Sequence, residues 1–204
     1  MRAIKGLKSR KAPGSDGISP EMLKAGGNPL AERLRNLIAK IWDAEKMPTQ
    51  WKDSTIVPVF KKNDRTLCSN YRGISLLCMA VKVMMSVIRQ RTADHREART
   101  RENQAGFRRG RGCIDQIFAL RQLIEQRTRH GKPWLAIFID FAAAFDSVHR
   151  ASLWQALRHD GFPEKIVNLL KEYYEDANCR VKVYGQMGEP FHVTTGVRQG
   201  CILS

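Results

Sequence analysis

Asp140 closes an apolar run, Trp134-Leu135-Ala136-Ile137-Phe138-Ile139, and opens the stretch Asp140-Phe141-Ala142-Ala143-Ala144-Phe145-Asp146-Ser147. A carboxylate at the end of a buried segment is held rigidly beside the core while facing a cleft, which is a good place to bind a metal ion. The run itself fits a strand buried on both faces; its periodicity fits a buried helix as well. A second group of residues suits phosphate. Lys61, Lys62 and Arg72 flank a β-rich segment, lysine acting as a point charge and arginine as a bidentate fork. A third group is the arginine-rich stretch that holds Gln104, Arg108, Arg109 and Arg111. Its glycines at 106, 110 and 112 let backbone approach a ligand closely. The last is Gly196-Val197-Arg198-Gln199-Gly200-Cys201, a polar side chain set between glycines.

Composition narrows the partners. The 35 Lys and Arg residues exceed the 20 Asp and Glu, for a net charge of +15. Much of that excess is clustered between Arg89 and Arg111, so nucleic acid is the expected polyanion. The five cysteines are scattered and the five histidines form no ligand-spaced group. A disulfide framework or zinc site is therefore not expected, and reduced thiols point to an intracellular protein, nuclear or cytoplasmic. No secretory signal and no membrane-spanning apolar run are present, so no membrane partner is expected.

The elements that must position these residues are legible in outline. Ser19 and Pro20 start a short helix. Leu30, Leu34, Leu37, Ile38 and Ile41 recur at helical spacing before Pro48. Thr55 to Phe60 and Asn70 to Leu77 read as a hairpin, with Pro58 arguing for an edge position. A helix follows over 78–92. Asp115 is placed to cap another, which carries Ile117, Leu120, Leu123 and Ile124. Two covering helices are expected near Ala151–Arg158 and Pro163–Asp176. Val181/Val183 and Phe191/Val193 alternate as a second hairpin.

Taken together, Asp140-Phe141-Ala142-Ala143-Ala144-Phe145-Asp146-Ser147 and, roughly fifty residues later, Gly196-Val197-Arg198-Gln199-Gly200-Cys201 resemble two palm motifs of reverse transcriptases of the non-LTR (LINE-type) retrotransposons. The order of the Pro13-Gly14-Ser15-Asp16-Gly17-Ile18, Tyr71-Arg72-Gly73-Ile74-Ser75 and Gln104-Ala105-Gly106-Phe107-Arg108 segments is similar to that of the family's fingers motifs. The resemblance covers nearly the whole chain. It implies an α+β, right-hand polymerase fold, with fingers over 1–132 and the first part of the palm over 133–204.

The same resemblance implies a role for each residue. Asp140, helped by the carbonyl of Phe141, would hold catalytic magnesium. The reaction would be RNA-directed DNA synthesis, the primer 3′-hydroxyl attacking the α-phosphate of a deoxynucleoside triphosphate by a two-metal mechanism. Phe145 would be the steric gate under the sugar, and Asp146 a structural cap. Lys61 (with Lys62 as the alternative) and Arg72 would grip the triphosphate. Gln199 and Gly200 would line the nucleotide and template pocket. Gln104 and Arg108 would touch template or nucleotide, while Arg109, Arg111 and the rest of the cluster would bind the backbones of an RNA template and DNA primer. The family's second acidic motif, an Ala-Asp-Asp turn beyond the Gln-Gly pair, does not occur by Ser204. The magnesium site is therefore expected to be incomplete and the isolated chain inactive. The alternative is a noncatalytic basic nucleic-acid-binding remnant.

Overall fold

The structure, a computed structural model, describes residues 1–203. Packing divides it into two units, Met1–Arg91 with Ala143–Ser204 and, separately, Thr92–Ala142.

The first unit is a small mixed sheet covered by helices. Helices α1 (Arg2–Lys5), α2 (Pro20–Ala25), α3 (Gly27–Ala44) and α4 (Thr49–Lys52) precede β1 (Ser54–Phe60). Strand β2 (Tyr71–Leu76) follows, and α5 (Met79–Arg99) starts in this unit. The Ser19 hydroxyl accepts from the Met22 amide at 3.3 Å and caps α2, as its sequence predicts. Helix α3 turns Leu34 and Ile41 inward, with Leu30, Ile38 and Trp42 packed beside them. The first turns of α5 bury Met79, Val81, Val83, Met84, Met85 and Ile88. Burial beyond one face shows this end of α5 to be the centre of the core.

After the second unit the chain returns with α7 (Arg150–His159), α8 (Glu164–Tyr174), β3 (Asn178–Val183), β4 (Gln186–Met187) and β5 (Phe191–His192). Strand β1 pairs antiparallel with β2, from Thr55 opposite Leu76 to Phe60 opposite Tyr71. On its other side it pairs parallel with β3, but only over Ser54–Ile56. Pro58 therefore lies beyond the parallel ladder and needs no N–H there. The edge expectation holds for the second half of β1, while its first half is interior. Strand β3 also takes β4 and β5 as antiparallel neighbours.

Glu172 on α8 ties this helix to the entrance of β1. Its carboxylate lies 2.7 Å from Lys52 Nζ and 3.0 Å from Lys46 Nζ, and accepts from the Met47 amide. Burial pushes this carboxyl up, but the hydrogen bonds from Lys52, Lys46 and Met47 outweigh it, so it titrates below the usual glutamate range. Its stabilising contribution is complete above the ordinary value of about 4.3 and is lost as pH falls through the lower folded-state value. Lys46 is largely exposed and adds little, whereas Lys52 is nearly as buried as Glu172. Glu172→Gln should therefore cost about 3 kcal/mol at neutral pH by stranding Lys52. Urea unfolding at pH 7 and pH 3 checks this: the gap between wild type and variant should close at the lower pH.

The second unit holds the end of α5 and helix α6 (Cys113–Arg129). Gly112 is the N-cap of α6, and its amide donates to the Asp115 carboxylate at 2.7 Å. Asp115 thus works from inside the first turn and is not the cap residue itself, a correction to the sequence expectation. The Arg108 guanidinium lies between the Glu97 and Glu102 carboxylates and also donates to the carbonyls of Arg101 and Glu102.

The larger correction concerns Trp134–Ile139. It forms no strand and is not buried; Leu135 is 84% and Phe138 84% exposed. A strand needs a ladder partner, and no described strand pairs with this run. Among the described residues no helix is long and apolar enough to cross a membrane.

Candidate functional site

Three segments of the first unit meet at the outer edge of β2. The turn at 143–147 is closed by the Asp146 and Ser147 amides, both donating to the Ala143 carbonyl at 2.9 and 3.0 Å. The loop 195–201 is fastened along that turn. Gly196 N donates to Val148 O at 2.8 Å, Val197 N to Phe145 O at 2.7 Å, and Thr195 Oγ1 to Asp146 O at 3.3 Å. On its far side the loop reaches β2, where the Ser75 amide donates to the Gln199 carbonyl at 2.8 Å.

Two glycines allow this approach. Gly196 has φ +75°, and a Cβ there would stand 2.7 Å from the Asp146 carbonyl oxygen. Gly200 has φ +115°, and its Cβ would stand 2.7 Å from the Ser75 carbonyl oxygen. Both positions require left-handed backbone and the absence of a side chain.

The chemistry of the junction is that of an oriented amide beside a carboxylate. Gln199 Nε2 lies 3.5 and 3.4 Å from the two Asp146 carboxylate oxygens. Only the NH₂ end of an amide can face a carboxylate, so this contact fixes the amide and leaves Oε1 as the acceptor for a ligand. A cavity of about 250 Å³ opens here, lined by Gly73, Ser75, Asp146, Thr195 and Gln199 among others. Two arginines brace it. Arg150 donates to the carbonyls of Gly196 (3.0 Å), Val193 (2.7 Å), Thr195 (3.1 Å) and Tyr174 (3.3 Å). Burial pushes its guanidinium pKa down from the usual value. The buried Arg198 stacks 4.0 Å from the Tyr173 ring centre and donates to the Tyr173 and Lys52 carbonyls. Burial also drives the Tyr173 phenol far above its usual value, so it stays protonated.

The sequence-predicted residues divide between the units. Phe145, Gln199 and Gly200 lie together at the junction, Phe145 half-buried with its carbonyl bound to the loop. Arg72 is on β2 opposite Val59, and Lys61 follows β1 with its amide bound to the Asn70 carbonyl. Strand alternation puts Arg72 and Lys61 on one face of the hairpin and the cavity-lining Gly73 and Ser75 on the other. Asp140, Phe141, Gln104, Arg108, Arg109 and Arg111 belong to the second unit. Asp140, Phe141, Gln104, Arg109 and Arg111 are exposed, Arg111 being paired with the Glu102 carboxylate, whereas Arg108 is held among carboxylates and carbonyls. Among the described residues no three His, Cys, Asp or Glu side chains gather to hold a metal ion. Asp140 and the Phe141 carbonyl could supply two oxygen donors to a magnesium ion, whose remaining positions waters and substrate phosphates usually fill.

Asp146 does not cap α7, contrary to the sequence expectation. The N-cap is His149, whose ring nitrogen faces the Ser152 amide, and the Asp146 carboxylate turns to Gln199 instead. The sequence reading passed over Arg150. Its signal was electrostatic: a cation in the first turn of a helix, with no acid beside it, opposes the helix dipole and needs another reason to be there.

Residues 60–204 match the family model for reverse transcriptase (RNA-dependent DNA polymerase). The whole chain aligns at 27% identity with the "Transposon TX1 uncharacterized 149 kDa protein" of Xenopus laevis, covering 16% of it. It aligns over its full length at 31% identity with the "Probable RNA-directed DNA polymerase from transposon BS" of Drosophila melanogaster, covering 23% of it. A 30% match covers 96% of the chain and 22% of the "Probable RNA-directed DNA polymerase from transposon X-element" of the same fly. The chain thus spans less than a quarter of the length of these curated relatives. With residues 60–204 matching the family model and its whole length aligning with these relatives, the chain belongs to the reverse transcriptase family, alongside the non-LTR retrotransposon members.

Proposed function

We propose that the chain supplies the nucleotide- and template-facing part of an RNA-directed DNA polymerase, built as right-hand fingers (1–132) and the first part of a palm (133–204). The observation that carries this reading is the meeting of Gly73, Ser75, Asp146 and Gln199 around one cavity, with the Phe145 carbonyl bound to the loop beside it. A deoxynucleoside triphosphate lying along the free edge of β2 would meet Arg72 and Lys61 through its phosphates. Its sugar would rest near Phe145, and Gln199 would offer its Oε1 as an acceptor. The exposed Arg109 and Arg111 would hold template and primer phosphates, while Arg108 would keep their loop in shape. Magnesium is the metal that the family's chemistry uses; Asp140 would be one of its ligands. The described residues do not complete such a site, so no step is assigned to the metal.

The exposed arginine-rich stretch supports a second reading, nucleic-acid binding without turnover. Both readings are tested by binding a DNA primer annealed to an RNA template, followed by primer extension with magnesium. Affinity should fall steeply with salt, and Arg109→Ala and Arg111→Ala should each lower the logarithmic slope by about 1. Affinity indifferent to salt would sink the nucleic-acid reading. Extension is not expected from this stretch alone; product that disappears in Asp140→Asn would overturn that expectation.

A further inference from the structure

Arg150 is held by more of the 193–196 segment than any side chain of the predicted site. Its Nε and both terminal nitrogens reach the carbonyls of Val193, Thr195 and Gly196, three acceptors within four consecutive residues. A fourth bond, to the Tyr174 carbonyl, anchors the same guanidinium to the end of α8. Its face lies 4.8 Å from the Tyr174 ring centre, and the Tyr174 hydroxyl in turn accepts from the Arg198 amide. The segment is thus gripped immediately before Gln199 by a group that starts α7. A planar fork with five donors can satisfy these carbonyls together; an ammonium cannot reach them all.

We propose that Arg150 is a positioning residue, a clamp that sets the backbone of Val193–Gly196 and so holds Gln199 against Asp146 for nucleotide binding. This rests on the proposed nucleotide site and names the residue that keeps it assembled. Arg150 also borders the cavity, but its guanidinium donors are committed to these four carbonyls. The turn at 143–147 supplies one wall, β2 another, and Arg150 keeps the loop between them. The residues bearing on it are acceptors and a ring, so the clamp works by geometry and not by neutralising an acid.

The test combines hydrogen exchange with nucleotide crosslinking in the same chain, comparing wild type with Arg150→Lys and Arg150→Met. Exchange at the Gly196 and Val197 amides should quicken about tenfold in both variants while α5 and α8 amides keep their protection. Crosslinking of an azido-dATP probe to the Gln199 region should fall in parallel, with template–primer affinity unchanged. A lysine that restores full protection would overturn the clamp, since charge alone would then suffice. Unaltered protection in Arg150→Met would overturn it too. So would protection lost across the whole unit in both variants, which would mark Arg150 as a general fold residue. If the loop loosens as expected but wild type itself gives no competable crosslink, the clamp stands and the nucleotide reading fails.

Discussion

Gly196→Ala is expected to be among the most damaging single-methyl changes in the chain, costing about 3 kcal/mol or more. Two penalties combine at this position. An L-residue at φ +75° meets the left-handed penalty of roughly 1–2 kcal/mol. The new Cβ also stands 2.7 Å from the Asp146 carbonyl oxygen and 2.8 Å from both the Asp146 Cα and the Phe145 carbonyl oxygen. These are backbone atoms, so relief requires moving the turn or the loop, an overpacking cost of about 1–3 kcal/mol. Either movement breaks the bonds from Gly196 and Val197 to the Val148 and Phe145 carbonyls. Urea unfolding measures the loss. A destabilisation below about 1 kcal/mol would mean that the loop lies free of the turn.

Arg198→Met is expected to cost about 3 kcal/mol, for a different reason. The substitution keeps much of the stem that packs on Tyr173 but strands the Lys52 and Tyr173 carbonyls, each worth about 1–3 kcal/mol when buried without a donor. It also removes a cation stacked on two tyrosine rings, at 4.0 and 5.2 Å. Against this stands the relief of burying one charge fewer. Arg198 Nη1 already lacks a partner among the described residues, so that relief is real. The lost acceptors outweigh it because two of them depend on the same guanidinium. Arg198→Lys should fall between, since an ammonium neither forks nor stacks as well. Equal stability of wild type and Arg198→Met in urea unfolding would show that desolvation had balanced the bonds.

Much of the scaffold was legible because its signals are local. Ser19-Pro20 started α2, the spacing of Leu34, Ile38 and Ile41 marked α3, and Pro58 pointed to an edge, which holds for its half of β1. The motif residues that meet at β2 were legible as motifs, because glycine at 196 and 200 is imposed by close backbone approach. What failed depended on partners distant in sequence. Trp134–Ile139 has the composition of a buried strand, but a strand is made by its neighbour, and no described strand receives it. The resemblance implied a capping role for Asp146; His149 is the N-cap, and Asp146 faces Gln199, more than fifty residues on. Arg150 was missed because carbonyl acceptors carry no sequence signature, its partners lying more than twenty residues away along the chain. Arg108 shows the converse: a cation in a basic cluster reads as a nucleic-acid contact until two nearby glutamates are seen to hold it.

The most direct test of the nucleotide site is to locate the nucleotide itself. Azido-dATP is irradiated with the chain bound to an RNA template and DNA primer, and the modified residues are mapped by mass spectrometry. Label competed by unmodified dATP is expected within Arg72–Ser75, Phe145–Asp146 and Gln199–Cys201, and should fall several-fold in Gln199→Ala. Competable label confined to other segments, or label at these residues that unmodified dATP does not displace, would contradict the site.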